Sequence, residues 1–169
     1  MMRWMAAAVA GLVALSGQAA ERVELTTRVS GVVEAVLVSP GQRVKKGEPL
    51  VRLEPTIHQA RLDEAGAELE RARADEADAR RDLDRVQELY NRTVSSTTEL
   101  DAARLRYARA KAALTVVESR VAVARKNLED ATLKAPFDGV IAALAAAPGM
   151  VVVADCQQPR PLLWMSREP

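Results

Sequence analysis

Cysteine and histidine are nearly missing from this sequence: Cys156 and His58 are the only examples. A single Cys closes no internal disulfide, which leaves a buried or spare thiol or a bridge to another molecule. A lone His all but excludes a His-based metal site or a Ser-His-Asp triad. Met1, Met2 and Met5 crowd the extreme N-terminus, so too few Met remain for a thioether metal cluster. Aromatics make up 3% of the chain, which points to thin packing between elongated elements rather than one thick globule. Charge of one sign is absent as well. Lys plus Arg number 24 against 23 Asp plus Glu, with no basic cluster, so no electrostatic case for nucleic acid arises. No phosphate loop or metal-ligand spacing occurs, and the carboxylates sit among arginines as on a solvated face. The sequence therefore predicts no enzyme, no cofactor and no metal.

The first 20 residues, MMRWMAAAVAGLVALSGQAA, carry one charge (Arg3), an apolar run and then small residues. That is the pattern of a secretory signal over 1–20, cleaved after Ala19 or Ala20; an uncleaved anchor is the alternative. The apolar run is too short for a comfortable membrane span. No Cys lies near the cleavage region, so no lipid anchor is expected.

Residues 22–55 read as four short strands. VELTTRV (23–29) alternates apolar and polar residues, and GVVEAVLV, Pro40-Gly41 and VKKGEPLVRLEP follow as β-branched runs cut by Gly and Pro. From Thr56, placed to cap a helix behind Pro55, the period changes. Helix formers fill residues 56–131. Leu62, Ala65, Leu69, Ala72, Glu76, Ala79, Leu83, Val86 and Tyr90 hold a three-four spacing. So do Leu100, Ala103, Tyr107, Ala110, Leu114, Val117, Val121, Ala124, Leu128 and Ala131.

If the chain reverses at a tip about 91–96, facing residues sum to about 190 in number. Leu62 then meets Leu128, Leu69 meets Val121, Leu83 meets Tyr107, Tyr90 meets Leu100, and Glu76 faces Leu114. This predicts an antiparallel two-helix coiled coil with arms of about 50 Å. On the outer face Glu76–Arg80, Arg80–Asp84, Asp78–Arg81 and Asp82–Arg85 are candidate ion pairs. They suit a solvated face or side-by-side packing of identical hairpins.

Residues 132–166 return to strands, ending in LLWM. Here the chain repeats itself: SGVVEAVLVSPG (30–41) and DGVIAALAAAPG (138–149) are 108 residues apart. Two copies of one motif predict a pseudo-symmetric β-structure built from two halves. Neither half is expected to fold alone, because each leaves an apolar face and open edges. The fold class is thus α+β: a small β-domain in two sequence halves, interrupted by a helical hairpin. Gly31, Gly41, Pro136, Gly139 and Gly149 mark its turns.

GVVEAVLVSPGQRVKKGEPLVRLEP resembles the first half of a biotinyl/lipoyl-like (barrel-sandwich) domain, and ATLKAPFDGVIAALAAAPGMVV the second. A lipoyl-like domain split by a helical hairpin resembles the periplasmic adaptor subunits, or membrane fusion proteins, of the HlyD family. RVQELYNRTVSSTTELDAA resembles the family's tip motif, which carries over to Arg85, Leu89 and Ser96, followed by Asp101. The resemblance implies a tripartite efflux or secretion system in the periplasm. The tip would meet a TolC-type outer-membrane channel, an inner-membrane transporter of RND or ABC class would lie at the other end, and the adaptor would be a homo-oligomer. Each residue also has a local reading. Ser96-Thr97-Thr98-Glu99 is a capping box, Leu89 is a core candidate beside Tyr90, and Arg85 is placed to pair with Asp82.

Full adaptors of the family add a β-barrel and usually a membrane-proximal domain built from both chain ends, and the expectation here is of an adaptor without them. The resemblance therefore implies a minimal adaptor, one subunit of a pair, or a truncated copy without function. Two other classes compete. A biotin or lipoate carrier needs a Lys at the junction of the halves, where the hairpin sits instead. An envelope coiled-coil protein with structural or regulatory work and no transport role fits the same residues.

Overall fold

The computed structural model describes residues 22–154 and 160–167. The expected signal segment and Cys156 lie outside the described residues. Four strands come first: β1 (Arg22–Leu25), β2 (Gly31–Val36), β3 (Arg43–Val44) and β4 (Pro49–Leu53). Two helices follow, α1 (Thr56–Asn91) and α2 (Thr97–Asp130), then β5 (Thr132–Lys134), β6 (Gly139–Leu144), β7 (Val151–Val152) and β8 (Leu163–Arg167). The α+β class and the split β-domain expected from the repeat are what the chain adopts.

The strands form two sheets of four, ordered β1-β8-β6-β3 and β5-β4-β2-β7. Each sheet takes two strands from either half of the chain. Exchanging β1 with β5, β2 with β6, β3 with β7 and β4 with β8 turns one sheet into the other, so the sequence echo is a pseudo-two-fold axis. The hydrogen bonds obey it. Gly41 N–H donates to Ile141 O, and Gly149 N–H to Val33 O, both at 2.8 Å. Lys46 N–H donates to Asp138 Oδ1, and Ala154 N–H to Ser30 Oγ. In every case a turn in one half is satisfied by a strand or loop of the other.

Gly41 and Gly149 occupy these turns at φ +83°, a conformation that suits glycine. Gly31 and Gly139 do not: they open β2 and β6, and neither has positive φ. At Gly139 the small size serves a close approach to the backbone of β8 instead. Pro136 lies in the β5–β6 connection. The first strand also stops earlier than the alternation suggested. It ends at Leu25, and Thr27 Oγ1 donates to Val29 O in a turn, with both residues buried.

Aliphatic side chains make the core: Val33, Val51, Leu53, Ile141, Leu162, Leu163 and Met165 are at most 1% exposed. No aromatic belongs to that buried set among the described residues, in keeping with the 3% aromatic content.

Helix α1 starts at Thr56, so this residue is the first helical position and not the cap. Pro55 holds the cap position, with no side-chain bond, and its carbonyl accepts from Gln59 N–H at 2.8 Å. Proline is suited to this junction because its fixed φ already lies in the helical range. Leu100, Ala103 and Val117 are buried along α2, as are Ala65 and Ala72 on α1. The other three-four positions on both helices are half-buried or better, including Leu62, Leu69, Leu83, Tyr90, Tyr107, Leu114, Val121 and Leu128. Polar contacts cross between the arms at Arg106–Asp82 (3.0 Å), Arg120–Glu68 (3.1 Å) and Arg104–Gln87 (3.4 Å). The partner numbers sum to within two of the value set by the apolar spacing. Of the outer-face ion pairs expected, Asp78–Arg81 and Asp82–Arg85 form, while Glu76–Arg80 and Arg80–Asp84 do not. Exposed pairs of this kind contribute about 0.3–0.5 kcal/mol each, so the hairpin is held by its apolar face.

Candidate docking site at the hairpin tip

The structure carries Arg85 and Leu89 on the last turns of α1 and Ser96 and Asp101 at the start of α2, so the turn brings all four to one end of the hairpin. The Arg85 guanidinium bonds Asp82, whose carboxylate also holds Arg106 of α2. Asp82 is thus a clasp between the arms. The Arg85 side chain remains 73% exposed, with donors left for another molecule. Leu89 lies outside the packed face at 38% exposure. Asp101 pairs with Arg104 at 3.3 Å on the surface.

Ser96 is the N-cap of α2. Its Oγ accepts from Glu99 N–H at 3.2 Å, while Glu99 Oε2 accepts from Ser96 N–H at 2.9 Å and from Ser95 Oγ at 2.6 Å. The first two bonds are the capping box written in Ser96-x-x-Glu99. The third, from Ser95, sequence reasoning missed. It extends the carboxylate's hold into the loop. The Ser95 hydroxyl first, then the Ser96 backbone N–H and hydroxyl, hold the Glu99 carboxyl below the usual carboxylate range.

Because the folded value is the lower one, this contribution to order is present above the ordinary carboxylate pKa and is lost as the pH falls through the folded value. Amide exchange at Ser96 and Glu99, followed from pH 7 to pH 3, is therefore expected to accelerate beyond its intrinsic pH dependence. Glu99→Gln should flatten that profile, and an identical profile in both proteins would refute the role.

At the opposite end, His58 is buried on the first turn of α1, with Nε2 3.2 Å from Ser30 O. It ties the foot of the hairpin to the β-domain. Its Nδ1 finds no partner within the described residues. No group of three or more His, Cys, Asp or Glu is placed to hold a metal there or elsewhere among the described residues. No helix of the described residues is long and apolar enough to cross a membrane.

Known proteins share this architecture. The sequence profile of the family described as "CusB, barrel-sandwich hybrid domain" matches residues 22–157. The multidrug resistance protein MdtA of Cronobacter turicensis is 36% identical over 121 residues, which is 72% of this chain and 29% of that protein. The chain thus spans under a third of the length of this curated relative. A solved MacA–MexA chimera containing the Pseudomonas aeruginosa MexA α-hairpin domain is 25% identical with a TM-score of 0.54, over 86% of this chain and 46% of the chimera. The membrane fusion protein Spr0693 of Streptococcus pneumoniae R6 has the same fold at 15% identity and a TM-score of 0.64, over 86% of this chain and 59% of that one. With two interleaved sheets clamping a helical hairpin, and the profile matched along both, the chain belongs to the CusB barrel-sandwich hybrid domain family.

Proposed function

We propose that the chain serves as the hairpin-bearing part of a periplasmic adaptor (membrane fusion) protein in a tripartite efflux system. In this reading residues 1–20 direct export, 22–55 and 132–166 form the lipoyl-like base, and 56–131 form the hairpin. The tip, through Arg85, Leu89, Ser96 and Asp101, docks on a TolC-type outer-membrane channel. An inner-membrane transporter of RND or ABC class lies at the other end. Several copies stand side by side, and substrate passes along the assembly rather than binding tightly to one subunit. The similarity to a multidrug resistance protein favours drug-like cargo.

The observation that carries the reading is the tip itself. Arg85, Leu89 and Ser96 come together at the far end of a hairpin about 50 Å long, with Arg85 and Leu89 left open to solvent. A rigid rod with an accessible recognition end suits a bridge between membranes better than it suits catalysis. The lipoate-carrier alternative loses its ground, because the junction where a carrier lysine must swing is occupied by α1 and α2.

The test is a photocrosslinker at exposed Thr98, with a second at exposed Ala112 halfway down the hairpin as control. In cells with a TolC-type channel, the Thr98 site is expected to give a channel adduct and the Ala112 site none. Absence of the adduct while the protein accumulates in the envelope would defeat the docking role.

A further inference from the structure

The tip contains one residue in an unfavourable conformation and one in an unfavourable environment, and they are neighbours. Helix α1 closes with Arg92 N–H donating to Glu88 O, Thr93 N–H to Tyr90 O at 2.9 Å, and Val94 N–H to Leu89 O at 3.0 Å. This is the Schellman closure, whose C′ residue takes left-handed φ and is ordinarily glycine. Here the C′ residue is Thr93 at φ +62°, the one non-glycine residue with positive φ among those described. A β-branched residue there is strained, because its Cβ crowds the following carbonyl. The next residue, Val94, is 73% exposed, the highest value among the large apolar side chains described. A hairpin that only needed to turn in water would relax with glycine at 93, and the apolar C″ residue that such closures often carry would be covered by the C3 side chain rather than stand 73% exposed.

The loop is nevertheless fixed from both sides. The closure of α1 sets Val94 from below, and Glu99 draws in Ser95 and Ser96 from above. The isopropyl group is the part of the loop that none of these bonds occupies. The Val94 N–H is held by the carbonyl of Leu89, whose own side chain is also exposed. Strain retained at an exposed apex, where relaxation is one substitution away, points to a shape needed for contact with another molecule.

We infer that Val94 is the apolar anchor of the docking tip, and that Thr93 and Glu99 are positioning residues that present it. The inference rests on the channel-docking reading above and names its contact. The occupant of this contact is the channel's periplasmic end, through an apolar recess sized for one branched side chain. Arg92, two residues before the anchor, and Arg85, two turns down α1, are paired with Glu88 and Asp82 but stay 69% and 73% exposed, so their free donors suit acidic or carbonyl groups around the recess.

The experiment compares adduct yields from the Thr98 crosslinker in the full chain. Removing one buried Val contact is expected to lower the Val94→Ser yield about tenfold, with Val94→Ile near wild type. Thr93→Gly should melt no lower than wild type, because the strain is gone, yet give a several-fold weaker adduct, because the apex is looser. A merely structural Thr93 would not separate the two readouts. Helical circular dichroism controls for folding, and an exposed side chain leaves the fold intact. If wild type gives an adduct and Val94→Ser gives as much, the anchor is wrong while the docking reading stands. If wild type gives none, the docking reading fails and the anchor fails with it.

Discussion

Gly139→Ala is expected to lower the melting temperature by roughly 10 °C, whereas Gly31→Ala, its partner across the pseudo-two-fold axis, changes little. A methyl group at Gly139 would run into the backbone carbonyl oxygen of Ser166, with the Phe137 ring 3.3 Å away. Backbone cannot step aside as a side chain can, and Ser166 belongs to β8, which β6 must pair along Val140–Ser166 and Ile141–Met165. Overpacking of this kind costs about 3 kcal/mol, and each kcal/mol shifts the midpoint of a chain this size by about 3 °C. At Gly31 the nearest atom to an added Cβ is Leu53 Cδ1 at 3.4 Å, an ordinary contact. There the loss of glycine's freedom in the unfolded chain offsets the crowding, and the net change is expected to stay within about 1 kcal/mol. Thermal melts of the two variants decide the matter. Equal destabilisation would mean that the backbone approach at Gly139 relaxes.

Leu100→Asp has the larger expected effect on docking and almost none on the melting of the β-domain. Leu100 is 3% exposed in the first turn of α2, where it packs toward the end of α1. An unpaired carboxylate there carries a desolvation cost of about 3–5 kcal/mol. The N-terminus of α2 returns roughly 0.5 kcal/mol through its dipole, which is far too little. The hairpin need not bear the whole cost, because its end can open locally. The opening is expected to release the Arg106–Asp82 clasp and the tip loop while Ala65, Ala72 and Val117 stay packed nearer the base. Hydrogen exchange should then rise by about a hundredfold or more in peptides spanning residues 85–105, and the channel adduct from the Thr98 site should vanish. Wild-type protection at the tip in this variant would contradict the assignment of Leu100 to the apolar seam.

Periodic features were the most legible in the sequence. The two three-four series fix which faces of α1 and α2 meet, because burial must follow the helical repeat. The echo between 30–41 and 138–149 fixes that two halves correspond. What the echo does not carry is the swap that places β8 and β6 between β1 and β3, since strand order depends on long-range pairing rather than local period. Gly31 and Gly139 illustrate the same limit. A glycine next to β-branched residues reads as a turn, yet both open strands, and the reason for Gly139 is an atom 27 residues away that only the fold brings near. At the tip, Ser96-x-x-Glu99 announces its own capping box. The closure at Thr93 has no such sign, because threonine is among the residues least suited to left-handed φ. Arg80 taught a similar lesson: helical spacing permits its ion pairs, but exposed side chains gain too little from them to be held in place.

The position of the hairpin between the two halves bears on the order in which the chain folds. Every sheet needs strands from both halves, so the β-domain has high contact order and its pairing must wait for a long loop to close. The hairpin has the opposite character. Its contacts start at the turn and zip outward, each layer closing only a short additional loop, on a timescale far faster than sheet pairing. As it zips, it brings Pro55 and Ala131 together, and Leu53 N–H then finds Ala131 O at 2.8 Å. The loop-closure entropy that β4–β5 pairing would otherwise bear is removed in advance. The coiled coil thus acts as a folding template for the domain that later clamps it. Substitutions that weaken the seam should therefore slow refolding of the sheets, even though none of the seam residues lies in them.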